Sequence, residues 1–277
     1  MSLLVTSAAG ANGAGFGRLL AFADDGKLIG AFSDDPRLVD PRGLGVDPVH
    51  RLLFVNSGSG QILSLGRNGQ VVRATRPVEG LNPGGGNFGP DGRYYVGLRS
   101  ERTIMAFAPR LDMAGEYVLP ANIVPFPRGF AFAHDGTLFL ASGIGPGNEG
   151  DNTILAFDTS RRIRPSWRVR DPELSPLDLA IAPNGNVVVS SEHPFGAENA
   201  VATIREYDRA DGHLVRVLAP RDPAGMRKPR GLRFGASNRL YCVARDEVVG
   251  FNFETGECLD TVVWLPGLNG QAVIFFP

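Results

Sequence analysis

Four stretches of the chain repeat one phrase. PRGLGVDPVHRLLFVNSG begins at Pro41, PRGFAFAHDGTLFLASG at Pro127, PLDLAIAPNGNVVVSSE at Pro176 and PRGLRFGASNRLYCVAR at Pro229. Each reads as a short apolar strand, a polar turn, a second strand and a Gly/Ser break. With a weaker copy at Pro83, the starts lie 42, 44, 49 and 53 residues apart, and a degenerate sixth copy, LNGQAVIFF, begins at Leu268. A period of about 40 to 50 residues is the mark of a propeller or a solenoid.

The copy that starts at Pro41 shows what one unit holds. Gly43 to Val46, Leu52 to Asn56, Ile62 to Leu65 and Val71 to Thr75 read as four strands, joined by turns such as Arg67-Asn68-Gly69, where Asn-Gly supplies positive φ. Four short antiparallel strands per repeat make a propeller blade. The 36 glycines and 21 prolines interrupt the text too often for long helices. At the N-terminus Leu3 to Thr6, Arg18 to Ala23 and Leu28 to Phe32 read as second, third and fourth strands, and Gly270 to Phe276 is a first strand without a blade of its own. The expectation is an all-β, six-bladed β-propeller over residues 1–277, a single domain whose C-terminal strand completes the N-terminal blade and removes two sheet edges.

The text resembles the six-bladed NHL-repeat propellers, whose signature is a P-x-G-apolar strand followed by a D/P/N-G turn, and the resemblance covers almost the whole chain. In architecture it is also similar to the gluconolactonase-type family. Those groups include peptide-processing lyases, lactonases and pure binding modules, so the resemblance implies a fold and leaves the activity open.

Composition narrows the partners. The 28 basic and 29 acidic residues nearly cancel, which removes the electrostatic case for a nucleic-acid or anionic-membrane partner. No apolar run approaches the roughly 20 residues of a membrane span. MSLLVTSAAGANGAG has neither a basic n-region nor an apolar h-region, so no export signal is expected and a cytoplasmic location is favoured. Cys242 and Cys258 fall on strands with another strand between them, which sets them about 10 Å apart, too far for a disulfide. Both read as buried free thiols.

In a propeller the first strand of each blade lines the central channel, and ligands sit at the top mouth, formed by the loops entering first strands and those between second and third strands. Aligning the copies gives an entry column of Arg42, Gly84, Arg128, Leu177, Arg230 and Asn269. The next column is Gly43, Gly85, Gly129, Asp178, Gly231 and Gly270, and the column after second strands is Ala8, Ser57, Arg99, Gly143, Glu192 and Arg245. Arg42, Arg99, Arg128, Arg230 and Arg245, with Asn269, therefore form a candidate ligand-binding set, since guanidinium offers a rigid fork to carboxylate or phosphate. Asp178, Glu192 and His193 form a candidate acid–base group, two carboxylates and an imidazole on one blade. The competing reading is architectural, with the arginines joining neighbouring blades and Asp178 and Glu192 paired to Arg128 or Arg230.

Three second-to-third loops are long: AAGANGAGFG, GIGPGNEGDN and EHPFGAENAVA. Asn148, Glu149, Asp151, Asn152, Glu198 and Asn199 offer oxygen ligands there for a hard cation such as Ca²⁺. The gluconolactonase resemblance implies a divalent cation held by Glu, Asn and Asp side chains around the channel; Asp178 and Asn269 are the first-strand positions onto which it can be carried, with Asn87 and Glu192 as additions, while the channel glutamate implied for the first blade is absent, that strand reading NGQAV. The zinc-dependent amidating-lyase branch is not matched, because His50, His134 and His213 fall in bottom-face turns and only His193 lies at the top. GANGAGFG at Gly10 runs from strand to strand, not from strand to helix, and so lacks the setting of a dinucleotide fingerprint. The resulting expectation is a propeller that binds a small anionic or polar ligand, or a peptide, at its top face; the alternative is a hydrolase or lyase of a small ester, lactone or glycoside-like substrate.

Overall fold

The structure, a computed structural model, describes residues 2–8, 17–78, 83–145, 150–222 and 225–277. Among them the chain forms six four-stranded antiparallel sheets arranged as a ring. The first blade combines β1 (Ser2–Ser7), β2 (Arg18–Phe22) and β3 (Leu28–Ser33) with β24 (Gly270–Phe276), which pairs with β1 and closes the ring. The second blade is β4 (Gly43–Val46), β5 (Leu53–Ser57), β6 (Gln61–Leu65) and β7 (Val71–Ala74). The third is β8 (Pro83–Phe88), β9 (Tyr94–Leu98), β10 (Thr103–Phe107) and β11 (Glu116–Tyr117), and the fourth β12 (Pro127–Phe132), β13 (Leu138–Ser142), β14 (Thr153–Phe157) and β15 (Ile163–Arg170). The fifth is β16 (Pro176–Ile181), β17 (Val187–His193), β18 (Val201–Tyr207) and β19 (Leu214–Leu218), and the sixth β20 (Leu232–Phe234), β21 (Arg239–Val243), β22 (Glu247–Asn252) and β23 (Cys258–Trp264). Among the described residues no helix is long and apolar enough to cross a membrane.

The core is divided among the interfaces between blades. Six clusters of buried side chains each join two neighbouring blades: Trp167 and Phe139 of the fourth pack with Leu179 and Val189 of the fifth, and Val243 and Val263 of the sixth pack with Val5 and Val273 of the first. Blade sheets alternate apolar residues to both faces because both are covered, so second and third strands read as nearly continuous apolar runs. The ring is thus closed by ladder pairing at β24 and by the same side-chain packing that joins every other pair of blades.

At the centre, backbones replace side chains. A Cβ added to Gly43 would stand 2.7 Å from the Gly86 Cα of the next blade, and one added to Gly129 would stand 2.6 Å from the Asp178 Cα. Gly85 and Gly231 stand in the same relation to the blade that follows each. This is why the phrase carries Gly after its Pro-Arg: first strands converge until only a residue without a side chain fits. Pairing slips beside Gly85 and Gly129, between Pro83 and Gly86 and between Pro127 and Phe130, and at the equivalent place between Pro176 and Asp178, a bulge that redirects the side chains next to it. Second-strand side chains then tie each blade to the next: Asn56 Nδ2 donates to Gly84 O at 3.0 Å, and Ser190 Oγ to Arg230 O at 3.1 Å.

Both cysteines are free, with Cys242 buried and Cys258 only half-buried, because its strand is the outermost of the sixth blade. Replacement of Gly43 by Ala is expected to destabilise the protein by about 2–3 kcal/mol, the upper range of overpacking, because besides the Asn56 side chain the Gly86 backbone obstructs the added methyl and cannot rotate away. Urea unfolding measures it, and an unchanged midpoint would mean that the first strands do not approach each other as described.

Candidate functional site

A cavity of about 50 Å³ occupies the top of the central channel. Arg42, Arg128 and Arg230 reach it from the entries to their first strands, and Arg99 from the end of β9. Asp178 and Arg233 line it as well. Two alignment columns, 42–128–230 and 99, therefore converge on one opening, which has room for a few waters or one compact oxyanion group.

The arginines are held in different ways. Arg42 donates through Nε to Asp40 at 3.0 Å, and Arg230 through Nη1 to Gln271 Oε1 at 3.0 Å. Arg128 is buried, gives Nη2 to the Ile144 carbonyl at 2.6 Å, and lies between the rings of Phe126 and Phe195, each 4.6 Å from its guanidinium carbon. Ile144 and Phe195, which stand in two of the long loops, thus serve to fix Arg128. Arg99 sits 5.5 Å from the Phe126 ring, has no carboxylate partner among the described residues, and its Nε is buried without a hydrogen bond. Burial, and then the charges of Arg42, Arg128 and Arg230, push the Arg99 guanidinium well below its ordinary range. Arg230 is lowered too, by burial and then by Arg42, with Asp40 and Glu192 opposing. Arginine stays protonated in proteins, so these downward shifts express the cost of holding like charges together away from water.

Asp178 stands where the other blades have glycine, and the structure shows how the ring admits it. Its carboxylate lies over Gly129, where a Cβ would otherwise be, and Oδ2 accepts the backbone N–H of Leu232 at 2.8 Å. Its own N–H donates to Ser190 Oγ at 3.0 Å. Burial raises its pKa to about 6, against the lowering effects of the Arg233 charge and of the N–H groups of Leu232 and Leu179. The carboxylate engages the backbone of the next blade in place of an Arg128 or Arg230 partner.

Other expected residues lie elsewhere. Glu192 and His193 were read as loop, yet β17 and β18 continue upward with Glu192 opposite Ala202 and His193 opposite Val201. Alternation along that extended strand turns them apart. Glu192 is buried and accepts the Lys228 N–H at 2.9 Å on the sixth-blade side, while His193 Nδ1 lies 3.2 Å from Ser175 Oγ on the fourth-blade side. Neither lines the cavity that holds Asp178. Arg245 faces an outer cleft beside Trp264, with Asp246 Oδ2 at 3.7 Å. Asn269 is a positive-φ turn residue whose Oδ1 lies 3.4 Å from Gln271 Nε2, and Asn87 lines a different cavity at the bottom of the channel. Of the cation ligands read from the long loops, Asp151 is bridged to Arg168 at 2.5 Å, while Asn148 and Glu149 lie outside the described residues. A top cavity lined by five guanidiniums and one carboxylate does not fit a divalent cation, whose ligands are oxygens and whose charge the arginines repel.

Two channel residues escaped the sequence reading. Arg233 donates Nη2 to Leu44 O at 2.8 Å, tying the sixth blade to the second across the channel, and Gln271 positions Arg230. The signal for each is a mismatch one or two columns beyond the glycines. Gln271 stands among Leu44, Gly86, Phe130, Leu179 and Leu232, and Arg233 among Gly45, Ala131, Ala180 and Ala272, with Asn87 the other polar departure in that column.

No family model and no curated protein sequence matches the chain. Solved structures share its fold. One is the nidogen/laminin complex, with a TM-score of 0.75 and 14% identity over 98% of this chain and 97% of that one. Another is a gluconolactonase from Xanthomonas campestris, at 0.67 and 15% over 93% and 83%. A third is virginiamycin B lyase from Staphylococcus aureus, at 0.61 and 14% over 84% and 73%. At these identities the likeness is one of fold, and the chain is a six-bladed β-propeller whose structural neighbours include both binding proteins and enzymes.

The raised pKa of Asp178 sets a pH dependence of stability. The folded state holds this proton up to about pH 6, whereas an unfolded aspartate releases it near 3.8, so the native state binds more protons in that window and stability falls as pH rises through it. Asp178→Asn removes the titration while keeping an acceptor for Leu232. The variant is expected to gain on the parent from pH 4 to pH 6.5, by roughly 2–3 kcal/mol at the top of the range, in urea-unfolding midpoints. A difference independent of pH would contradict the assignment.

Proposed function

We propose that the protein is a ligand-binding propeller that takes a compact oxyanion, or the carboxylate, sulfate or phosphate end of a small molecule or peptide, at the top mouth of its channel. The observation that carries this reading is Arg99, a half-buried side chain whose Nε is buried without a hydrogen bond and which has no carboxylate partner among the described residues, with Arg42, Arg128 and Arg230 directed at the same small cavity. Such a group is costly until an anion arrives, and charge-assisted hydrogen bonds to an oxyanion are among the stronger ones available. The cavity's size restricts what enters to the charged end, and the rest of a ligand would lie over the loops, beside Phe195. Binding of partners by the propeller fold is also the state described by the nidogen/laminin complex.

A second reading, a hydrolase or lyase acting on a small ester, lactone or glycoside-like substrate, is favoured by one observation. Asp178, with its pKa near 6, is a carboxyl poised for proton transfer beside guanidiniums able to hold a developing oxyanion. In that case Asp178 is the proton acceptor and Arg128 and Arg230 the clamp, without Glu192 or His193.

Calorimetric titration with sulfate, a dianion across the useful pH range, tests the binding reading. Sulfate is expected to bind with an affinity that drops about tenfold in Arg99→Gln and in Arg230→Gln. Because ionised Asp178 adds a negative charge to the cavity, affinity should weaken several-fold between pH 5 and pH 7.5, and this dependence should vanish in Asp178→Asn. Binding unaffected by either arginine would contradict the proposal.

A further inference from the structure

The channel has a second mouth, and its chemistry differs from that of the first. Arg233 lines the top cavity and also one of about 430 Å³ on the bottom face. The lower cavity is walled by the half-buried Phe132, Ile181 and Phe234 of three successive first strands, β12, β16 and β20. Its size falls in the range of roughly 300–1,000 Å³ usual for small-molecule sites, and a mainly apolar lining with a few placed polar groups is their common composition. The walls are held from behind: the Phe132 ring packs edge-on against Tyr95 at 4.7 Å, and Phe234 against Phe253 at 5.0 Å.

The polar groups are Arg233, Asn87 and His134. Arg233 gives Nη1 to Leu232 O and Nη2 to Leu44 O, which leaves Nε–H without a partner among the described residues. Asn87 Oδ1 accepts the Phe88 N–H at 2.9 Å, so its amide nitrogen remains to donate. No hydrogen bond to another described residue engages the His134 ring, and Asp135 beside it is bound by Arg209. One cavity therefore combines an apolar body with unused donors and one fixed positive charge, a pattern complementary to a ligand head that only accepts hydrogen bonds and is negative.

We propose that the bottom mouth is a second binding site, for an amphipathic carboxylate, its head toward the Arg233 and Asn87 donors and its hydrocarbon against Phe132, Ile181 and Phe234. The two mouths share Arg233, but the apolar walls and the Asn87 and His134 groups belong to the lower cavity alone, so the proposal does not depend on anion binding at the top.

Calorimetry of the full chain with butanoate, hexanoate and octanoate tests it without any variant. Affinity is expected to rise roughly fourfold per added methylene, and octanol, which lacks the charge, should bind at least tenfold more weakly than octanoate. Octanoate should still bind when sulfate saturates the top mouth, and in Arg99→Gln. Ile181→Trp, which fills the lower cavity, should reduce octanoate affinity at least tenfold while leaving sulfate binding intact, which also reports that the variant has folded; Phe132→Ala serves should it not fold. Affinity independent of chain length, equal binding of octanol, or loss of octanoate binding in Arg99→Gln would each overturn the proposal.

Discussion

The close approach of first-strand backbones at the centre of the ring is the constraint on which the rest depends. With Gly43, Gly85, Gly129 and Gly231 at the contacts, neighbouring first strands come within reach of each other's Cα atoms, and the apolar side chains are left to fill the interfaces between blades. A ring built this way has a narrow channel lined largely by peptide groups. It also has entry positions, one residue before each glycine, from which long side chains can extend over the mouth.

The electrostatics follow from that geometry. Guanidiniums at the entry positions are brought together above a small cavity, partly out of water, where mutual repulsion is stronger than at an open surface. Aromatic rings take part of the strain: Phe126 and Phe195 enclose Arg128, and cation–π contacts of this kind contribute about 0.5–2 kcal/mol each. Asp178 supplies a countercharge, but burial makes it a reluctant one. In the proposed binding reading, an external anion and the Asp178 carboxylate are alternative ways of meeting the same demand.

Much of the fold was legible because repetition reports on blades directly. The strands read from the copy that starts at Pro41 agree with β4 to β7 within a residue or so, and closure by the last strand followed from an N-terminal blade that opens on a second strand and a final first strand left unpaired. The Arg42, Arg128 and Arg230 column was legible for the same reason, and so was the singularity of Asp178. What did not read out depends on pairing and on direction. Glu192 and His193 looked like loop because nothing in EHPFGAENAVA announces that Val201 and Ala202 will continue the ladder, and strand alternation then turns both away from the channel. Arg99 and Arg245 share a column, yet only Arg99 reaches the centre. Arg233 and Gln271 were visible only as polar residues in columns of small or apolar ones, a signal found by asking of every column, not just the entry column, which copy departs from it.

The central claim is that a carboxyl in the glycine column titrates against a cluster of arginines that awaits an anion. Following the Asp178 carboxyl carbon by NMR across pH, with and without sulfate, tests it most directly. The account predicts a midpoint near 6 that moves upward when sulfate occupies the mouth, because the bound anion disfavours a second negative charge. An ordinary midpoint near 4 that ignores sulfate would contradict it.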